Sequence, residues 1–197
     1  IYGDGIYVGD NPLGPFEYME DNPFSFKPGG FIGGAGHGHT FQDKYGNYWH
    51  VASMTISVRH SFERRLGLFP VAISARNGMY AHTAWSDYPF YIPDKKVDFN
   101  KTDLSMGWNL LSFRKPVSAS SSLPGYEPDK ANDEQIETWW AAQTGKKGEW
   151  LQIDMETPVT VNAIHVNFAD HHFKVFAPHP PVVYQFLIEG SADGKEW

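Results

Sequence analysis

The chain has 197 residues, a formal net charge of −7 and no cysteine. An acidic chain has no basic stripe to neutralise phosphates, so no nucleic-acid partner is expected. No apolar run approaches the roughly 20 residues of a membrane helix, so no membrane span is expected. The lack of cysteine excludes a disulfide framework and thiol chemistry, but it is compatible both with the cytoplasm and with secreted bacterial enzymes.

The composition predicts an all-β protein. Trp, Tyr and Phe number 7, 10 and 14, and these residues favour strands. Glycine at 19 and proline at 14 indicate many turns and few long helices. From the start of the chain, short apolar segments alternate with turn clusters at 11–16 and 21–24. Strands spaced in this way are typical of a sandwich, a barrel or a propeller.

The stretch 29–54 is the most distinctive part of the sequence. Glycines surround His37 and His39, the segments 39–42 and 48–54 read as strands, and 43–47 reads as a hairpin turn. Glycine lets the backbone adopt unusual conformations and approach other groups closely. The stretch is therefore either a hairpin with a flexible lead-in or a strand that brings an imidazole into a crowded centre.

Further strands are predicted at 64–73, 159–168 and 182–189, and an Asn-Gly hairpin at 75–80. The segment 81–107 is irregular and rich in proline, and 132–142 is expected to be a loop with one turn. Small polar residues after Pro116 mark a boundary that divides the chain into 1–114 and 115–197. Both ends of the chain are expected to be cut from a longer protein.

The first part resembles the last part of a family 43 glycoside hydrolase. The pieces that carry the resemblance are Gly14-Pro15-Phe16, Gly36-His37-Gly38-His39-Thr40-Phe41 and Asp43-Lys44-Tyr45-Gly46-Asn47-Tyr48-Trp49. The resemblance implies that 1–114 forms the last blades of a five-bladed β-propeller. It also implies hydrolysis of arabinosyl or xylosyl linkages by a carboxylate base and a carboxylic acid. The residues of the family that do this chemistry do not match positions in this chain, so no catalytic residue is assigned.

Structural or binding roles are expected for several polar residues of 1–114. Asp4, Glu17 and Asp43 are interpreted as solvated turn formers. The resemblance implies that His37 faces the propeller axis and helps to hold a calcium ion; the alternative is a hydrogen-bonded histidine that packs the channel. His39 lies on the same face as His37 if the strand is regular, and is expected to bind substrate. The two further histidines of this part are interpreted as structural, namely His50 and His60.

The second part, 115–197, resembles a discoidin domain, the β-sandwich also known from coagulation factors and often attached to glycosidases. The motifs are Ala131-Asn132-Asp133 with Thr138-Trp139-Trp140, Trp150-Leu151-Gln152-Ile153-Asp154, the run 161–166, and Ser191-Ala192-Asp193-Gly194 with Trp197. The later strands of that family have no counterpart here, so the sandwich is expected to be incomplete.

The discoidin resemblance implies a structural calcium held by Asp133, Thr138 and backbone carbonyls. Glu134 stands where the family has glycine, and the alternative reading is an Asp-capped turn without metal. Trp140 and Trp150 are expected in the core. The three histidines of a later loop are expected to be exposed: His171, His172 and His179.

Together the resemblances imply part of a polysaccharide-degrading glycosidase with an attached carbohydrate-binding module. The expected ligands are plant-type or other polysaccharides and oligosaccharides. The expected location is secreted, periplasmic or cell-surface. The alternative is a non-catalytic glycan-binding or adhesion protein that uses the propeller as a scaffold, since a fold does not determine a function. An open propeller would expose unpaired strand edges, which predicts aggregation of the fragment.

Overall fold

The computed structural model describes residues 2–55, 64–74, 78–169, 171 and 184–197. Over these ranges the protein is all-β, as predicted, with strands, turns and two short 3₁₀ helices, Thr83–Asp87 and Pro128–Ala131. None of the helices in these ranges is long and apolar enough to cross a membrane. The strands, in chain order, are β1 (Gly3–Asp4), β2 (Tyr7–Val8), β3 (Glu17–Tyr18), β4 (Ser25–Phe26), β5 (Gly33–Gln42), β6 (Tyr48–Thr55), β7 (Arg64–Ile73), β8 (Met79–Ala81), β9 (Val117–Ala119) and β10 (Leu151–Ile153).

The largest sheet is an antiparallel meander in the order β5-β6-β7-β8. It confirms the strands predicted at 39–42, 48–54 and 64–73, and β5 begins earlier than predicted, at Gly33. The pairing of Ile73 with Met79 confirms the hairpin between β7 and β8, although residues 75–77 lie outside the described ranges. Alternating apolar residues and glycine-containing turns set this register locally.

The turn between β5 and β6 is held by Asp43. Its carboxylate accepts hydrogen bonds from the backbone N–H groups of Tyr45 at 2.8 Å and Asn47 at 2.9 Å. It also accepts hydrogen bonds from the Asn47 side chain at 3.0 Å and from Trp49 Nε1 at 2.9 Å. Desolvation alone would raise the pKa of Asp43, but the hydrogen bonds from Trp49, Asn47 and Tyr45 outweigh it and lower the pKa. Asp43 is therefore a turn former, as predicted.

Two apolar clusters cover the faces of the meander. One consists of Ala35, Ala52, Met54 and Phe69. The other joins Trp49 and Ala72 of the sheet to Phe99 and Leu104 of the irregular segment 81–107. Burying a side chain such as Phe69, which is 0% exposed, contributes about 1.5–3 kcal/mol. The irregular segment thus closes one side of the sheet.

The second part of the chain is organised by β9 and β10, which pair antiparallel. Glu149 holds the segments next to these two strands together, because its carboxylate accepts hydrogen bonds from the hydroxyls of Ser120, Ser121 and Thr144. The bonds from Ser120, Thr144 and Ser121 lower the pKa of Glu149 to about 2. The segment 132–142 is a loop, as predicted.

Three sequence predictions for the second part are wrong. In their described residues, the segments 159–168 and 182–189 form no strand ladder, although Phe168 stacks on Tyr184 with ring centroids 4.1 Å apart. Alternating hydrophobicity indicates only a preferred face, and a strand forms only beside a neighbour in register.

Trp150 is 49% exposed and so is not a core residue, whereas Trp140 is half-buried and donates to the Ser121 carbonyl at 3.0 Å.

Candidate functional site

The first candidate site lies where β5 departs from regular strand geometry. Its register with β6 shifts between Gly34 and Gly36 and again between Gly36 and His39. Ala35 and His37 have left-handed backbones, with φ of 70° and 54°. Such values are uncommon for residues other than glycine and are found at bulges and functional sites. Because the strand is irregular here, the two-residue period that would place His37 and His39 on one face is interrupted.

Asp4 of β1 holds this irregular segment in place. Its carboxylate accepts the backbone N–H of His37 at 2.9 Å and that of Gly38 at 2.9 Å. Two successive N–H groups that point at one anion form a concave site for negative charge, often called a nest. The interpretation of Asp4 as a solvated turn former is therefore wrong. The sequence signal that could have indicated a positioned carboxylate is the pair of glycines, Gly3 and Gly5, on either side of Asp4.

His50 of β6 links Asp4 to the sheet. Its Nε2 lies 3.2 Å from Asp4 Oδ2, and its Nδ1 lies 3.0 Å from the hydroxyl of Thr40. When Thr40 donates to Nδ1, the proton of the imidazole is on Nε2 and faces the carboxylate. The side chain of His50 is 3% exposed. The burial of the ring supports the interpretation of His50 as structural.

The same arrangement sets the proton affinity of His50. Burial lowers the pKa of the His50 imidazole below its ordinary value of 6.5, and the neighbouring Asp4 carboxylate opposes that shift. A buried neutral histidine contributes stability above pH 6.5 that is lost as the pH falls through the lowered pKa.

Replacing Asp4 with asparagine is therefore expected to lower the pKa of His50 further, because the negative charge that favours the imidazolium is gone. An NMR titration of the His50 ring resonances measures this pKa directly. Asp94→Asn, the same change at an exposed position, is the control and should leave the His50 titration unchanged. An unchanged or raised His50 pKa in Asp4→Asn would contradict the role given to Asp4.

The predicted ligands of this part lie on the surface. His37 and His39 are both exposed, so both are accessible to a ligand or substrate. Among the described residues, no group of three or more histidine and acidic side chains is arranged to hold a metal ion. The chain brings Asp4 to the backbone of His37, and any cation there would use His37 together with oxygen atoms from elsewhere.

The second candidate site is the loop that contains Asp133 and Thr138. The Thr138 hydroxyl donates to Asp133 Oδ2 at 2.6 Å and lies 3.0 Å from the Gln135 carbonyl oxygen. Asp133 Oδ1 accepts the Gln135 N–H at 2.9 Å, which closes an Asx-turn. Glu134 takes the left-handed conformation with φ of 59°, so it adopts the backbone for which glycine is suited. A carboxylate, a carbonyl and a hydroxyl therefore meet on one tight loop, and these are the oxygen donors that calcium prefers.

The prediction that the histidines of the later loop are exposed does not hold for His171. His171 is half-buried: its ring packs edge-on against Tyr126 at 4.5 Å, and its Nδ1 lies 3.2 Å from Trp139 Nε1. An amphipathic ring packs readily between other aromatic rings, which composition alone does not reveal. The remaining predicted histidines lie outside the described ranges: His60, His172 and His179.

A contact region that the sequence did not predict joins the two parts of the chain. We call it the seam: residues 27–34 on one side, and 133–137 with 165–167 on the other. At its base Lys27 Nζ lies 2.7 Å from Asp87 Oδ2, and the two side chains are 9% and 11% exposed. Burial raises the pKa of Glu134, and the nearby Asp87 raises it further while Lys27 opposes the shift. No local signal identifies this cluster, because its members are far apart in the sequence.

The seam contains two open clefts. One, of about 330 Å³, is lined by residues of the meander together with 165–167. The other, of about 300 Å³, lies between residues 26–34 and the side chains of Ile136 and Glu137. Both clefts are thus bounded by the two parts of the chain together.

Comparison with known proteins gives one positive finding. No curated protein matches the chain, and no solved structure matches it. Residues 116–197 match the family model described as the F5/8 type C domain, which is less than half of the chain. The second part of the chain is thus similar to the F5/8 type C domain, and this similarity indicates a carbohydrate- or ligand-binding module.

Proposed function

We propose that this chain is a portion of a polysaccharide-degrading protein, in which 115–197 is a glycan-binding module and 1–114 belongs to a glycosidase of the family 43 type. The observation that carries the proposal is the F5/8 type C match over 116–197. The parent protein would act on arabinose- or xylose-containing polysaccharide outside the cytoplasm, either secreted, periplasmic or at the cell surface.

Two features of the first part support the glycosidase half of the proposal. The β5-β6-β7-β8 meander is a four-stranded antiparallel sheet, which is the unit from which propeller blades are built. Within it, the left-handed backbone at His37 and the nest around Asp4 place two exposed histidines in the middle of β5, an edge strand of that sheet. Strain of this kind is found at ligand sites more often than elsewhere.

The residues of this chain would bind and position substrate and would not perform the acid–base chemistry. An inverting glycosidase needs two carboxyl groups about 6.5–9.5 Å apart on opposite sides of the scissile bond. Asp4 is occupied by two N–H groups and His50, and Asp43 by four donors, so neither carboxylate is available for that role. His39, which is exposed, is the residue of this part that we propose to contact sugar.

We also propose calcium as a structural ion. The loop oxygens of Asp133, Gln135 and Thr138 would hold it in the second part, and His37 would contribute to a second site in the first part. When bound, calcium supplies a fixed double positive charge that neutralises the Asp133 carboxylate and orders the loop. The Asp133–Thr138 hydrogen bond already holds two of these donors together.

Affinity electrophoresis of the whole chain in gels containing arabinan, arabinoxylan or xylan tests glycan binding. We expect at least one polysaccharide to retard the chain, and we expect a chelator to weaken the retardation if calcium orders the binding loops. A non-binding protein of similar charge in the same gel is the control. If none of a broad panel of polysaccharides retards the chain, the proposed module function is wrong.

The enzyme half needs a separate measurement on the full-length parent protein. Release of nitrophenol from nitrophenyl arabinofuranoside or xyloside would support a glycosidase. Retained polysaccharide binding without release from either substrate would instead favour the non-catalytic glycan-binding or adhesion protein.

A further inference from the structure

The connection between the two parts of the chain has the character of a flexible tether. Residues 107–111 are all exposed. A linker of this kind by itself predicts two parts that move independently. The seam argues against that expectation. We infer that the seam is a fixed interface that docks 115–197 on the first part in one orientation.

The first support for a fixed interface is a backbone contact. Gly30 and Gln135 form a parallel β-bridge between the two parts. Near the end of the exposed connection, the Arg114 N–H donates to the Asn132 carbonyl at 3.1 Å, and the buried Asn132 side chain donates to the Ser112 carbonyl at 2.6 Å. The chain is thus held on both sides of Asp133, which limits the freedom that the exposed residues would otherwise give.

The second support is the buried ion pair beneath Gly30. A Cβ on Gly30 would lie 2.5 Å from Lys27 Nζ and 2.9 Å from Asp87 Oδ2, so the Gly30 backbone directly covers the pair. Lys27 Nζ also donates to the Gly29 carbonyl at 2.7 Å. Removing one partner of a buried ion pair is strongly destabilising, because it leaves an uncompensated buried charge. Lys27 and Asp87 therefore fix the conformation of the segment that pairs with Gln135.

The third support comes from side chains on either side of that segment. Phe31 packs against His165 with ring centroids 4.5 Å apart, and Asn167 Nδ2 lies 3.5 Å from the Phe31 carbonyl oxygen. Ile136 lies against Gly33 from the other side. Residues 27–34 are consequently held between two separate segments of the second part, and a hinge motion would have to break both contacts.

A fixed seam sets the orientation of the module relative to the first part of the chain. A flexible tether raises the local concentration of glycan around a catalytic part without selecting an orientation. A docked module holds its ligand at a constant distance and angle from β5 and its histidines. A glycan that contacts both parts would then be recognised by the spacing of two surfaces on a rigid body.

Distance measurements between two spin labels test the seam in the whole chain. The natural sequence has no cysteine, so nitroxides attach only at introduced positions. Lys101→Cys and Lys146→Cys place one label on each part: the Lys101 side chain is 84% exposed, and Lys146 is exposed. Double electron–electron resonance should give one narrow distance distribution. A distribution as broad as that of a flexible linker would overturn the proposal.

Variants show whether the narrow distribution depends on the seam. Ile136→Asp places a carboxylate in the seam, and Gly30→Ala adds a Cβ at a φ of 96° over the ion pair, so each should broaden the distribution. Ile188→Asp is the matched control, since Ile188 is 52% exposed, and it should leave the distribution narrow. Circular dichroism verifies that each variant retains β-structure. If both folded seam variants keep the narrow distribution, the seam is not what fixes the two parts. Glycan binding is not measured in this experiment, so its outcome is independent of the proposed function.

Discussion

Replacing Asn47 with alanine is expected to lower the free energy of unfolding by about 3 kcal/mol, because each buried group that loses its partner costs about 1–3 kcal/mol. Asn47 is 2% exposed. Its Oδ1 accepts the Val97 N–H at 2.8 Å, and its Nδ2 donates to the Lys95 carbonyl at 2.9 Å and to Asp43 at 3.0 Å. One side chain therefore fastens the irregular segment 81–107 to the turn between β5 and β6.

Urea denaturation followed by tryptophan fluorescence measures the change in Asn47→Ala. Asn109→Ala is the matched control, because Asn109 is exposed, and it should change the free energy of unfolding by less than about 0.5 kcal/mol. Equal stabilities of the two variants would show that Asn47 does not hold the segment 81–107 in place.

Gly38→Ala is expected to destabilise the fold by about 1–3 kcal/mol, the usual cost of forcing extra atoms into a packed region. A Cβ on Gly38 would lie 2.2 Å from His50 Nε2 and 2.7 Å from the Val51 carbonyl oxygen. The Val51 atom belongs to the backbone of β6, so the strand itself or the His50 ring must move. Movement of the ring would separate His50 from Asp4 and disturb the nest at His37.

Gly29→Ala provides the control for this change, since a Cβ on Gly29 would have no atom within 4 Å. The two variants are compared by thermal unfolding and by the NMR resonances of the His50 ring. In Gly38→Ala we expect the midpoint temperature of unfolding to fall and the His50 ring resonances to shift. In Gly29→Ala we expect neither change. If Gly38→Ala and Gly29→Ala behave alike, β5 does not pass closely over His50.

The sequence was informative where structure is determined locally. The strands of the meander were predicted at 39–42, 48–54 and 64–73, and Asp43, Gly46 and Gly78 marked its turns. The close approach of β5 to its neighbours also followed from the run of glycines around His37. The discoidin resemblance named Asp133 and Thr138 as ligands of one calcium, and the loop brings these two side chains within hydrogen-bonding distance.

Contacts between distant residues could not be predicted in the same way. Asp4 meets His50, and Lys27 meets Asp87, across long stretches of chain, and neither pair leaves a periodic pattern. The opposite error arose at 159–168, where alternation suggested a strand but the described residues form no ladder. The local sequence indicates which face of a segment is apolar. The strand with which that segment pairs depends on the topology of the whole chain.

The left-handed backbone at His37 has a consequence for stability. Glycine would adopt a φ of 54° without steric penalty, and glycines already stand on both sides of this position. Histidine there costs conformational energy that the surrounding contacts must offset. Stability alone would favour glycine, so the imidazole at this position costs the fold stability and places a side chain at the surface of β5.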